Sequence, residues 1–185
     1  MSRIIKTFFG FAILGCLVTA CGLSEAQSDH HKMYFDLKQF IEKQANMLQK
    51  QNPKVQKNIV SDSISTTKKL YIKSWNAELK PFSECDINAP ILRDAYEIEE
   101  TSNQTVYTAK RNDLKVRKIT LEKSADQIQA IRIQYESENN FYHTERWAEM
   151  ELEDGQVYRY SISGMQKILL KNRNSYKISG EILSK

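Results

Sequence analysis

Glycine is scarce in this sequence, with six residues in 185, and proline, cysteine and histidine stand at three each. Each shortage excludes something. Six scattered glycines leave no glycine-rich loop whose consecutive backbone amides could cradle a phosphate, and no G-x-S-x-G elbow surrounds any of the many serines. Three histidines, two of them adjacent, fall short of the spaced imidazole sets that zinc sites use. Charge of one sign is also missing. Lysine and arginine number 27 against 23 acidic residues, and the two signs are interspersed, which argues against nucleic acid or an anionic surface as the partner of the folded chain. Finally, no apolar run reaches the roughly 20 residues that a helix needs to cross a hydrocarbon core.

What is present begins at the N-terminus. Arg3 and Lys6 precede an uncharged stretch from Thr7 to Ala20 that contains Phe8, Phe9, Phe11, Ile13, Leu14, Leu17 and Val18. Charge followed by a short greasy run is the order of a secretory signal peptide. The run ends in Val18-Thr19-Ala20-Cys21. An aliphatic residue and two small ones before a cysteine resemble the bacterial lipobox. The resemblance implies that residues 1–20 are removed as a signal peptide and that Cys21 receives a diacylglyceryl group and becomes the new N-terminus. Ile13-Leu14-Gly15-Cys16 fits less well because Leu14 is bulky, and Ser24-Glu25-Ala26 offers an ordinary small-x-small cleavage site as the competitor. Several acyl chains together anchor stably where one alone is marginal. Gly22, where aspartate would resemble the inner-membrane retention signal of some bacteria, points to the outer membrane. Residues 21–28 then read as a lipidated tether of small polar residues, leaving 29–185 as a single domain.

Removal of the signal leaves 25 basic against 23 acidic residues. Cysteine use is consistent with export yet provides no intrachain disulfide: Cys16 leaves, Cys21 is acylated and Cys85 remains alone.

From Asp29 the pattern becomes helical. Tyr34, Leu37, Phe40, Ile41 and Leu48 recur at three- and four-residue steps with Lys38, Glu42, Lys43 and Gln49 between them, so an amphipathic helix is expected, capped at Ser28 or Asp29 and stopped by Asn52-Pro53. Two short strands are expected near 54–60 and 63–70, and a second helix over about 72–84 from the spacing of Ile72, Trp75, Leu79 and Phe82. Beyond Tyr96, eight short runs rich in Tyr, Ile, Val and Thr alternate with turn formers, among them Ser163-Gly164 and, sharpest of all, Asp154-Gly155. Loops this short hold no crossover helix, so neighbouring strands should be antiparallel. The expected fold is α+β: an N-terminal amphipathic helix and a second short helix packed on a curved antiparallel β-meander of about seven or eight strands. The helix and meander loosely resemble the half-barrel of lipoprotein carriers, an architectural likeness that transfers no functional residue.

Candidate chemistry is thin. Asp29-His30-His31 invites a metal, but adjacent helical residues point about 100° apart. His143 and Glu145 share one strand face, and the sequence spacing offers no third ligand. Cys85 lies between Glu84 and Asp86, whose charges disfavour a thiolate, so a small buried residue is expected there. The glutamates at 97, 99, 149, 151 and 153 alternate as wet-face residues do. Asp62-Ser63-Ile64 resembles a bacterial O-glycosylation triplet, and Asn103-Gln104-Thr105 an N-glycosylation acceptor. Nine tyrosines and Trp147 are the most suggestive feature, since aromatics on a sheet can line a groove. No catalytic residue, metal or cofactor is expected; the lipid attachment at Cys21 is the one assigned site. The function expected is a non-catalytic binding module for an apolar or glycan ligand, held to the membrane by its acyl chains. The alternative is an accessory subunit that docks a partner protein at the outer membrane.

Overall fold

The computed structural model describes residues 32–62, 64–125, 127–169 and 172–183. Cys21, the tether, His30-His31 and Ser63 lie outside the described residues. The first helix, α1, covers Leu37–Gln51. Its N-cap is Asp36, whose carboxylate accepts the Gln39 N–H at 3.0 Å, so the helix starts later than Ser28 or Asp29 would place it. Tyr34 is buried all the same, in the extended segment ahead of the cap. The helix ends where Asn52 enters the left-handed region at φ 44°, donating its N–H to the Leu48 carbonyl, with Pro53 next. Two strands follow, β1 (Lys54–Ser61) and β2 (Ile64–Tyr71), then α2 (Trp75–Ser83), capped by Ser74 and carrying Pro81 in its last turn.

After a 3-10 turn at Pro90–Leu92 come seven strands: β3 (Tyr96–Glu100), β4 (Gln104–Ala109), β5 (Val116–Ser124), β6 (Gln127–Glu138), β7 (Tyr142–Glu153), β8 (Gln156–Ile168) and β9 (Asn174–Ile182). All nine strands form one antiparallel sheet in the order β2-β1-β9-β8-β7-β6-β5-β4-β3, open at β2 and β3. The expected fold class and meander stand, with two differences. The hairpin β1–β2 extends the meander by pairing β1 with β9, giving nine strands. And Ser163-Gly164, read from sequence as a turn, runs straight through the middle of β8.

Packing explains that second difference. A Cβ on Gly164 would lie 2.8 Å from the Tyr176 hydroxyl and from the Glu145 carbonyl, so the glycine is there to let a neighbouring ring and backbone come close. Gly180 does the same beneath Tyr160, whose ring atoms come within 2.3 Å of the position a Cβ would take. At Asp154-Gly155 both residues have positive φ, 51° and 75°, as a two-residue hairpin demands.

Both helices pack on one face of the sheet. Leu37, Ile41, Ala45 and Leu48 of α1 and Trp75, Leu79 and Phe82 of α2 join Ile131, Ile133, Ala148, Met150, Tyr160 and Ile162 in a single core. Trp75, Leu79 and Phe82 are fully buried, as their spacing requires, although the indole N–H of Trp75 has no partner among the described residues. Gln44 ties α1 to the β7–β8 turn, donating to the Gly155 carbonyl at 2.9 Å and accepting the Val157 N–H at 3.1 Å. Under α2, Lys57 donates to both oxygens of Glu78 at 2.7 and 2.8 Å, and the Tyr160 hydroxyl donates to the same carboxylate at 2.7 Å. No described helix is long and apolar enough to cross a membrane.

Candidate functional site: a cleft over an unpaired arginine

Farther along the strands, the helix-side face of the sheet carries another row of paired positions: Val116, Tyr135, Arg146, Gly164 and Tyr176. Over the first part of this row lies a cleft of about 490 Å³, within the range of small-molecule sites. Its apolar lining comes from Leu92, Leu114, Val116 and the rings of Tyr96 and Tyr135, and its charged lining from Glu84, Asp86, Asp113, Lys115 and Arg146.

Tyr96 is fixed by its neighbours. Its hydroxyl donates to the Val116 carbonyl at 3.0 Å and its N–H donates to the Tyr34 hydroxyl at 3.2 Å, while Tyr34 in turn donates to the Leu92 carbonyl. Burial pushes the Tyr96 phenol up to about 12, so it stays neutral and keeps its proton in that bond.

Arg146 is the unusual group. Its guanidinium carbon stands 4.4 Å above the centroid of the Tyr135 ring, and one terminal nitrogen is 3.7 Å from the Cys85 sulfur. Among the described residues its buried Nε has no hydrogen-bond partner and no carboxylate oxygen lies within 4.0 Å of the guanidinium. The thiol is no counter-ion: Cys85 is fully buried, and desolvation raises its pKa although Arg146 works in the other direction. Its own hydrogen goes to the Pro81 carbonyl. A cation–π contact offsets only about 0.5 to 2 kcal/mol of the desolvation of a half-buried guanidinium.

The three carboxylates in the lining are engaged elsewhere. Glu84 pairs with Lys80 at 3.5 Å, Asp113 with Arg111 at 3.1 Å, and Asp86 accepts from the Asn88 side chain at 3.1 Å and from the Asn88 and Lys38 backbones. Lys115 is exposed and forms no ion pair among the described residues. The cleft thus holds two uncommitted cations and three committed anions.

The opposite face of the sheet holds the sites the sequence suggested. His143 and Glu145 do meet, Nε2 to Oε1 at 2.8 Å. Across the ladder Glu138 pairs with His143 and Glu136 with Glu145, and the carboxylates of Glu136 and Glu138 come within 4.8 Å of the imidazole, a group that does not include Glu145. Arg117, displaced by a bulge between Val116 and Lys118, holds Glu136 at 3.0 Å. The hydrogen bond that His143 donates to the Glu145 carboxylate raises the His143 pKa above its usual 6.5, aided by the charge of Glu138. Trp147 is also on this face, 45% exposed, beside a depression of about 340 Å³ lined in part by Ser163, Met165 and Lys177. Ser65 and Lys68 fit an S-x-x-K spacing, but on strand β2 positions three apart face opposite sides, so hydroxyl and ammonium do not meet.

Sequence reasoning passed over Arg146 and Tyr135. The signal was there: Ala148, Met150 and Leu152 form the dry side of β7, and Arg146 continues that parity two residues earlier. No protein family, curated protein or solved structure matches this chain.

Proposed function

We propose that this protein is a bacterial lipoprotein, anchored at the outer membrane through acyl chains on Cys21, whose folded domain is a non-catalytic binding module for a glycan ligand held in the Arg146 cleft. The lipobox resemblance at Val18-Thr19-Ala20-Cys21 supports the anchor. The observation that carries the binding role is the cleft itself, where two tyrosine rings stand among charged groups while the core beneath the helices is filled. Hydroxyl-rich rings suit that mixture, presenting an apolar face to tyrosine and donors and acceptors to the charges; an acyl chain would leave the charges unsolvated. The described chain enters the domain beside the cleft, since Tyr34 bonds both Leu92 and Tyr96.

Native mass spectrometry of the protein released from membranes tests the binding role: a copurifying hexose-based mass supports it, and cleft variants such as Tyr135→Ala should lose that mass. For the anchor, Cys21→Ser should shift the protein from the membrane pellet to the soluble fraction or leave it uncleaved. An unchanged lipid label would remove the anchor from the proposal. Turnover of an ester, phosphoester, glycoside or peptide that is abolished by His143→Ala or Glu145→Gln would replace the binding module with an enzyme.

One further observation favours the accessory-subunit reading. Phe141, Ile168 and Leu169 are 68%, 37% and 59% exposed at the far end of β7 and β8, where the Leu169 N–H bonds the Phe141 carbonyl at 2.8 Å. An apolar tip of this kind suits a protein partner. A stoichiometric protein partner in place of a sugar mass would make that reading the better one.

A further inference from the structure

We infer that the ligand of the Arg146 cleft carries a single carboxylate, so that the module selects acidic sugars over neutral ones. This rests on the glycan reading above and sharpens it. The guanidinium is a planar fork of donors whose geometry matches a carboxylate two bonds at a time. Here it is half-buried, stacked on Tyr135 and without any carboxylate of its own, while every acidic side chain in the lining already has a partner. A structural arginine at a core-parity position would be expected to bring its counter-ion with it, as Lys57 brings Glu78 in the neighbouring row. The ligand's carboxylate would supply that counter-ion. Stacking on Tyr135 fixes the plane of the fork in advance, which lowers the ordering cost of binding.

The remaining lining limits the anion. Lys115 adds one mobile positive charge, but Glu84, Asp86 and Asp113 place three carboxylates around the same space. A monoanion meets a cation at close range and tolerates those carboxylates, which can accept hydrogen bonds from sugar hydroxyls. A dianionic phosphate meets twice the repulsion for the same fork, so sugar phosphates should bind less well than sugar carboxylates of the same ring.

The test uses the mature protein in detergent and four probes measured by calorimetry: a methyl glucuronide, the matching methyl glucoside, a hexose phosphate, and benzoate as a carboxylate without a sugar. The glucuronide should bind at least about tenfold more tightly than the glucoside, as expected for a charge-assisted pair. Arg146→Gln should erase that difference. In the wild type, the Nε–H resonance of Arg146 should move with the glucuronide and not with the glucoside, a readout that stands even where a variant folds poorly. Equal binding of glucuronide and glucoside overturns the carboxylate inference and leaves the glycan reading intact. Benzoate bound as tightly as the glucuronide, with a shift at Arg146, keeps the carboxylate and removes the glycan. A phosphate that outbinds the glucuronide overturns the single-charge assignment, and no binding by any probe overturns both readings.

Discussion

Two rows of the same sheet face treat a buried cation in opposite ways. In the row Ile131, Met150, Tyr160, Gly180 and Lys57, the ammonium of Lys57 has a carboxylate with both oxygens in reach, and that carboxylate is closed off by the Tyr160 hydroxyl. Farther along the same strands, in the row Val116, Tyr135, Arg146, Gly164 and Tyr176, the guanidinium has a ring face and a neutral thiol. The rows match in other respects. Each places a tyrosine across from a glycine that makes room for it, Tyr160 over Gly180 and Tyr176 over Gly164. The difference is cover. Helix α2 supplies Glu78 to the first row, and the chain has already left the helix at Cys85 where the second row begins, so Glu84 and Asp86 line the cleft but no carboxylate oxygen of the described residues comes within 4.0 Å of Arg146. A charge whose counter-ion comes from the fold is architecture; one left open beside a cleft is available for something else.

That contrast can be broken by substitution. Trp75→Ala should have the largest effect, about 3 to 5 kcal/mol, because the indole is fully buried and packs edge-on against Tyr160 at 6.3 Å; a denaturant midpoint equal to that of the wild type would detach α2 from the covered row. Glu78→Ala comes next. Lys57 and Glu78 keep only 20% and 15% of their side-chain exposure, so stranding the ammonium should cost about 2 to 3 kcal/mol in chemical denaturation. Arg146→Met should behave in the opposite sense. Since no ion pair is lost, stability should stay within about 1 kcal/mol of the wild type or rise, while the preference of the cleft for the glucuronide disappears. A loss as large as that of Glu78→Ala would mean that Arg146 is architecture after all and would erase the distinction between the rows.

The smallest effect belongs to the outer face. His143 has a raised pKa because Glu145 bonds its Nε2 and Glu138 and Glu136 add negative charge. A raised folded-state pKa means that the pair contributes fully below the unfolded value near 6.5 and loses that contribution as pH climbs through the folded value. Thermal stability should therefore fall slightly between pH 6 and 8, and Glu145→Gln should flatten that slope. Histidine chemical shifts followed by pH titration give the pKa directly.

Much of the fold was legible in local pattern. The stripe of Leu37, Ile41 and Leu48 specified α1, Asn52-Pro53 specified its end, and the Trp75, Leu79, Phe82 spacing specified the buried side of α2. The start of α1 was not, because Asp36 and Asp29 are both competent caps by residue type, and only the packing of Tyr34 against Tyr96 and Tyr107 pulls the preceding residues out of the helix. Ser163-Gly164 misled for a similar reason. Glycine next to serine marks a turn unless something across the ladder needs the space, and Tyr176 was twelve positions from Gly164 on a strand whose register could not be read.

The site was harder to see than the fold. Trp147 drew attention and Arg146 did not, although the two are adjacent and the strand sends them to opposite faces: the aromatic residue is the exposed one and the charged residue lines the cleft. The sequence by itself determined which residues of each strand face together, where α1 ends and that the chain turns at Asp154-Gly155, because those follow from periods of 2 and 3.6 and from the backbone limits of proline and glycine. Only the tertiary structure decided that β1 lies beside β9, that Glu136 and Glu138 gather around His143, and that Arg146 stands over a cleft without a carboxylate. Those are distances between residues far apart in the chain or on neighbouring strands, and they depend on strand register and on where a helix ends above the sheet, neither of which a local pattern encodes.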